Sequence, residues 1–244
     1  MLRNGDAPAT VQTMNPAAKW PALSSPAVRL ILLIGIPIAA LAPFDVLFTA
    51  LTLGSPWLRM IWIAVLVLAG AWAGRRLGLR LEGHGARYPA LVGLAAALAV
   101  ALYVVVLDCW LFRSSLDPAY AAFLHQPLGT RLLYFMPRAF NENILYRLFG
   151  FAGLALLVGR GQTPPPRAVF AAAMIAAQLI NIWFNVVVIS PLPVTPMALI
   201  YDGLRYVVPG VLWAVLYVRN GFAVAEVASV GCHLFLQPAF SLLI

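Results

Sequence analysis

The chain has 244 residues, of which 63% are hydrophobic and 10% are charged, and its formal net charge is +8. Soluble globular domains have about 45–50% apolar and about 25% charged residues, so the composition excludes an ordinary soluble protein. Almost all basic residues are arginines at the ends of apolar runs, a placement that indicates membrane topology rather than nucleic-acid binding.

Seven apolar stretches approach the roughly 20 residues that a membrane-crossing helix needs. Ahead of them, residues 1–26 are rich in proline and small polar residues and are predicted to form a flexible tail. Residues 113–138 hold either an eighth span or an interfacial helix. We therefore predict an all-α polytopic membrane protein with about seven transmembrane helices, within a range of six to eight. The seven stretches are residues 27–50, 57–74, 88–112, 139–159, 168–190, 197–218 and 221–242.

The distribution of basic residues predicts the orientation of the chain. With the N-terminus inside, ten basic residues lie in inner segments and four in outer segments. Cytoplasmic segments carry the excess of Lys and Arg, so we predict a cytoplasmic N-terminus.

Strongly polar side chains interrupt the apolar stretches of the C-terminal half. A charged side chain at mid-bilayer costs roughly 2.5–3.5 kcal/mol, which makes Glu142 and His233 candidates for a functional site. Gln237 follows His233 by four positions and shares its helical face. Gln178, Asn181 and Asn185 fall on one face of the fifth stretch. Such a set can support hydrolysis, in which a carboxylate takes a proton from water while His and amide groups bind the oxyanion.

Structural roles remain open for the same residues. Glu142 can be a carboxylate at a helix N-terminus, His233 a satisfied core histidine, and the amides interhelical hydrogen-bond partners. Asn143 and Arg147 are four apart, so a hydrogen bond between them is possible. Asp202 and Arg205, three apart on the sixth stretch, are interpreted as a structural ion pair.

Three short motifs resemble those of a known family. They are Glu142-Asn-Ile-Leu-Tyr-Arg147, Met174-Ile-Ala-Ala-Gln178 and His233-Leu-Phe-Leu-Gln237. In this order and spacing they resemble the CPBP/ABI family of intramembrane CAAX proteases and bacteriocin-processing proteins, whose patterns are E-E-x-x-x-R, F-x-x-x-H and H-x-x-x-N. The chain departs from these patterns: Asn143 stands at the second glutamate, Gln178 at the second motif's histidine, and Gln237 at the asparagine.

The resemblance implies a four-helix catalytic core in residues 138–244, while the N-terminal helices and connecting loop of residues 27–137 lie outside it. It implies an intramembrane endopeptidase that cleaves a membrane-associated protein or peptide, in the bacterial inner (plasma) membrane. Glu142 would activate the attacking water, Gln178 would position it, and His233 and Gln237 would polarise the scissile carbonyl. Three residues would support them: Asn143, Arg147 and Asn181. No cofactor is expected, and the three histidines lack metal-ligand spacing, so no metal is expected either.

Two other functions stay open. The departures from the motifs fit a family member that has lost catalysis and binds a membrane partner or peptide. A small transporter using the same polar cavity is the third interpretation, although no inverted repeat is evident in the sequence. The oligomeric state is not indicated by the sequence.

Overall fold

The structure is a computed structural model that describes residues 25–41, 44–159, 165–188 and 195–244. Of the predicted flexible tail, residues 1–26, all but the last two residues lie outside the described part of the chain. The described residues form helices and their connections, and no strand occurs among them. The prediction of an all-α protein is confirmed for these residues.

Ten α-helices, some ending in or containing π-helical turns, make up the described chain. A π-helical segment, Ile144–Phe151, joins the helix Leu128–Asn143 to the helix Ala152–Val158 without a break, so the helix that carries Glu142 runs from residue 128 to residue 158. In chain order the helices are α1 (Pro26–Leu41), α2 (Val46–Leu51), α3 (Pro56–Arg76), α4 (Pro89–Leu111), α5 (Pro118–Leu124), α6 (Leu128–Asn143), α7 (Ala152–Val158), α8 (Arg167–Val187), α9 (Pro196–Asn220) and α10 (Phe222–Leu243).

Short polar side chains followed by proline or apolar residues define where several helices begin. Asp45 accepts a hydrogen bond from the amide of Phe48 at 2.7 Å and caps α2. Asp117 accepts from the first amides of α5, at 2.7 Å and 3.1 Å, ahead of Pro118. Each cap satisfies amides that have no partner within the helix, and proline at the first position loses no hydrogen bond there.

Five helices, α3, α4, α8, α9 and α10, are long and apolar enough to cross a membrane. Helix α1 is apolar but has 16 residues, and the helix of α6 and α7 falls outside this set of five. Large apolar side chains cover the outside of the bundle: Leu33 is 72% exposed, Leu102 is 59% exposed and Leu157 is 76% exposed. Apolar residues outside and polar residues inside indicate an integral membrane protein.

The helix that carries Glu142 lies in the middle of the bundle. Its α6 part contacts α1 and α10, and the π-helical segment contacts α3 and α8. Helix α10, which carries His233, packs against α4, α6 and α9. Ile144, Leu148 and Phe151 are fully buried at these contacts, so burial of apolar surface fixes the central helix against its neighbours.

The turn between α9 and α10 fixes where α10 begins. Gly221 has a φ of 96°, a conformation that costs little for glycine and much for other residues. The next two amides, of Phe222 and Ala223, donate to the carbonyls of Arg80 and Leu81 at 3.0 Å and 2.8 Å. The loop before α4 thereby caps α10 and sets the height of His233 in the bundle.

Candidate functional site

A cavity of about 640 Å³ lies between α4, α5, α6, α8, α9 and α10. Six of the seven residues expected at a site line it, and Gln178 is the one that does not. Helices α4 and α5 also contribute to the wall, for example with Val104 and Tyr120. Since both precede residue 138, the cavity is not formed by the C-terminal core alone. The six lining residues are Glu142, Asn143, Arg147, Asn181, His233 and Gln237.

Widened helical turns place polar side chains at or behind the cavity wall. The described helices contain four π-helical segments, and each of them carries a buried or partly buried polar residue of the cavity region. A π-helical turn shifts the following side chains around the helix axis and is frequent at functional sites. The polar residues and the π-helical segments that carry them are Asp108 in Leu107–Leu111, Arg147 in Ile144–Phe151, Asn185 in Trp183–Val187 and Arg205 in Gly203–Val207.

Glu142 is held through one of its two carboxylate oxygens. Its Oε1 accepts a hydrogen bond from Arg138 Nε at 2.6 Å, and the two side chains are 20% and 24% exposed. The other oxygen, Oε2, bonds to no described residue and is not enclosed by protein atoms. Arg138 also donates to the hydroxyl of Tyr134 at 3.0 Å and to Asn185 Oδ1 at 3.2 Å. All three guanidinium nitrogens are therefore used, and Oε2 is the atom that Glu142 presents to the cavity.

A second carboxylate, Asp45, anchors this arrangement from behind. Its Oδ2 accepts from the hydroxyl of Tyr146 at 2.7 Å and from the side-chain amide of Asn185. Asn185 Nδ2 also donates to Asn181 Oδ1 at 2.9 Å. Asn185 therefore links Asp45 to Arg138, and the network joins α2, α6 and α8 around Glu142.

Arg147, which lines the cavity, and Gln178, which does not, form a second network. Arg147 Nη2 donates to Gln178 Oε1 at 2.6 Å, and Gln178 Nε2 donates to the carbonyl of Tyr206 at 3.1 Å. Both ends of the Gln178 amide are thus occupied by protein partners. A Cβ at Gly210 would collide with this amide, so the glycine is what lets Gln178 lie against α9.

The hydrogen bond considered from the sequence between Asn143 and Arg147 is not formed. Asn143 instead donates from Nδ2 to Glu226 Oε2 at 3.1 Å, and both side chains are buried. The four-residue spacing had placed Asn143 and Arg147 on one face, but the π-helical segment between them turns the two side chains to different neighbours. The NH₂ group of Asn143 is therefore directed to Glu226, which does not line the cavity.

His233 and Gln237 lie one turn apart on α10 and both face α6. The imidazole stacks on Phe135 with a centroid distance of 5.2 Å and an angle of 8°. His233 Nδ1 is enclosed without a hydrogen bond to any described residue, which leaves Nε2 as the ring nitrogen open to the cavity. Gln237 is fully buried, and both atoms of its amide lack a partner in the described structure. Each unpaired buried polar group costs about 1–3 kcal/mol, so these groups are where a bound ligand gains most.

The ion pair expected between Asp202 and Arg205 is not formed. Arg205 Nε instead contacts Asp108 Oδ2 at 2.8 Å, on α4. Asp108 is fully buried, and a guanidinium is drawn to the carboxylate that has no water to compensate it. Asp202 remains at the cavity wall without a hydrogen bond to the described residues.

Sequence reasoning missed Arg138, Asp45 and Asp108 as parts of this region. Arg138 is one of the four basic residues of the predicted outer segments, and Asp45 lies within the first apolar stretch, residues 27–50. A usable signal existed for the two aspartates, because each is a carboxylate within an apolar stretch. For Arg138 the signal was its spacing of four from Glu142, which suits a helical ion pair.

Among the described residues, no group of three or more His, Cys, Asp or Glu side chains is arranged to hold a metal ion. The cavity wall carries carboxylate, imidazole, amide and guanidinium groups. Comparison with protein-family models, curated proteins and solved structures found no match to this chain.

Proposed function

We propose that the chain is an intramembrane endopeptidase in which Glu142 activates a water molecule. The observation that carries this proposal is the state of the Glu142 carboxylate: Arg138 holds Oε1, while Oε2 is free at a cavity shared with His233 and Gln237. A carboxylate fixed in this way keeps one oxygen available to take a proton from water, and general-base catalysis contributes about 10²–10⁴-fold.

The reaction needs a base, an oxyanion site and an acid. Glu142 Oε2 takes a proton from water, and the resulting hydroxide attacks the peptide carbonyl. His233 Nε2 and the Gln237 amide then donate hydrogen bonds to the oxyanion, since neither has a protein partner that would compete. When the tetrahedral intermediate collapses, protonated Glu142 returns its proton to the leaving amine.

The membrane arrangement that we propose has seven crossings. In addition to the five helices that meet the length and composition of a span, α1 and the central helix of α6 and α7 would lie within the bilayer. The central helix contacts α3, α8 and α10. Because these three helices are long and apolar enough to cross the membrane, a helix packed between them would also lie within the bilayer. The excess of basic residues in inner segments supports a cytoplasmic N-terminus, and the CPBP/ABI resemblance supports a bacterial inner membrane and a membrane-associated protein or peptide substrate.

A second function is favoured by Gln178. Its amide is engaged by Arg147 and Tyr206 and it does not line the cavity, so it is not placed to position a water molecule there. This fits a protein that binds a membrane-associated peptide in the same cavity without cleaving it. The two functions differ in whether Glu142 turns substrate over.

Turnover by the purified protein in liposomes, measured on a library of fluorophore–quencher peptides with product masses, distinguishes them. We expect Glu142→Gln to abolish cleavage, because it removes the basic oxygen and keeps the size. We expect His233→Ala to lose roughly 10²–10³ in rate. Glu82→Gln, the same change on an exposed loop, is the matched control and should leave the rate unchanged. Undiminished cleavage by Glu142→Gln would overturn the proposal, and binding without cleavage by the unsubstituted protein would favour the second function.

A further inference from the structure

The cavity has a second polar region, on α9, that the proposed hydrolysis does not use. Asp202, Arg205 and Tyr206 all line the cavity. They belong to the end of a helical segment and to the π-helical turn Gly203–Val207 that follows it. Glu142, by contrast, lies on α6, so the two polar regions are carried by different helices of the wall.

Arg205 is held in place from three sides. Its Nε contacts Asp108 at 2.8 Å, its Nη2 donates to the hydroxyl of Tyr120 at 3.0 Å, and its guanidinium lies 5.0 Å from the centre of the Tyr206 ring. Asp108 is itself held by the hydroxyl of Tyr201 at 3.0 Å. The remaining nitrogen, Nη1, bonds to no residue in the described ranges and is not enclosed. A rigid guanidinium with one open end is preorganised to donate a hydrogen bond into the cavity.

Asp202 supplies the complementary group. Its carboxylate makes no hydrogen bond to the described residues and is not enclosed, and it lines the same cavity as Arg205. Asp202 can only accept hydrogen bonds when ionised, and Arg205 can only donate them. The two residues therefore offer one acceptor and one donor on the wall of the same cavity.

Charge balance decides what this pair can bind. Asp108 already compensates the charge of Arg205, so Asp202 leaves the region with a negative charge that disfavours a carboxylate or phosphate ligand. A peptide amide is neutral and carries one N–H donor and one C=O acceptor, which match Asp202 and Arg205. We infer that Asp202 and Arg205 form a subsite that binds a backbone amide of a peptide, at a residue other than the cleaved one.

This inference rests on the proposed function and names the substrate chemistry of the same cavity. A peptide bound at both polar regions must reach from α9 to Glu142, and an extended chain covers about 3.3 Å per residue. The substrate would thus be an unfolded or extended segment rather than a helix, because a helix already uses its own amides.

The subsite can be tested by binding, without turnover. The probe is acetyl-tetraleucine methylamide, and its dissociation constant is measured in detergent micelles for the full chain carrying Glu142→Gln. Adding Asp202→Asn should weaken binding about tenfold, because a neutral acceptor replaces a charged one. Glu82→Gln is the matched control: it makes the same acid-to-amide change on an exposed loop that does not line the cavity, so binding should be unchanged. Replacing the probe's backbone N–H groups by ester oxygens should also weaken binding.

Three results would overturn the subsite: no binding of the capped peptide, equal binding by the Asp202→Asn protein, or binding at least tenfold tighter when the peptide has a free C-terminal carboxylate. The last result would mean that the region prefers an anion. These outcomes are separate from those of the turnover assay. If peptides bind through Asp202 but are never cleaved, the subsite stands and the peptidase proposal falls. If peptides are cleaved but Asp202→Asn has no effect on binding, the peptidase proposal stands and the subsite falls.

Discussion

Replacing Gly210 with alanine tests whether Gln178 is held by α9 as the structure shows. The added methyl group would collide with the side-chain amide of Gln178, which would have to leave both of its partners. The 2.6 Å bond from Arg147 involves a charge and is worth about 1.5–3 kcal/mol, and the 3.1 Å bond to the Tyr206 carbonyl about 0.5–1.5 kcal/mol. Alanine returns about 0.8–1 kcal/mol of helix propensity. We therefore expect the free energy of unfolding to fall by roughly 1–4 kcal/mol.

The assay is unfolding by denaturant in mixed micelles, followed by circular dichroism. Gly203→Ala is the control, because Gly203 lies on the same helix and a Cβ there meets no atom within 4 Å. This control should change the unfolding free energy by no more than about 1 kcal/mol. In the double variant Gly210→Ala/Gln178→Ala the collision is gone, so the two losses should not add. Equal unfolding free energies for Gly210→Ala and Gly203→Ala would refute the placement of Gln178.

Three further substitutions test the ion pairs and the turn. Arg138→Met removes the partner of Glu142 Oε1, and we expect at least tenfold lower kcat with little change in KM; an unchanged kcat would mean that the base needs no such partner. Asp108→Ala leaves Arg205 without its carboxylate, and the unfolding free energy should fall by about 3–5 kcal/mol; a loss below about 1 kcal/mol would contradict a buried pair. Gly221→Ala places a side chain at a φ of 96° and should lower the unfolding free energy by at least about 1 kcal/mol, and a neutral result in the same assay would argue against this turn.

The helices could be predicted from the sequence because long apolar runs and breaks at Gly and Pro are local signals. The runs predicted at 57–74, 88–112, 197–218 and 221–242 correspond to α3, α4, α9 and α10, within a few residues at each end. The helix around Glu142 was harder to predict. It begins at Leu128, ahead of the predicted residue 139, because an amphipathic stretch with arginines and tyrosines can be helical without being apolar.

The presence of a polar cavity could also be predicted, since ionisable residues within apolar runs are costly unless they face one another. The hydrogen-bond partner of each polar side chain could not be predicted from the sequence. Arg205 was expected to pair with Asp202 and pairs with Asp108, which lies 97 positions away in the sequence. Spacing along a helix shows which residues share a face, but it carries no information about the neighbouring helix. The π-helical turns make side-chain partners still harder to predict, because they change the angle between residues that a regular helix would align.

The three arginines of the cavity wall are compensated in two different ways, and this bears on why a glutamine stands at position 178. Arg138 contacts Glu142 directly, and Arg205 contacts Asp108 directly. Arg147 has no carboxylate within bonding distance among the described residues. The neutral amide of Gln178 orients its guanidinium without neutralising it. An imidazole at this position can acquire a positive charge and would then repel Arg147. Glutamine avoids that repulsion, so the positive charge of Arg147 stays available to Glu142 and to the negative charge that would develop during the proposed hydrolysis.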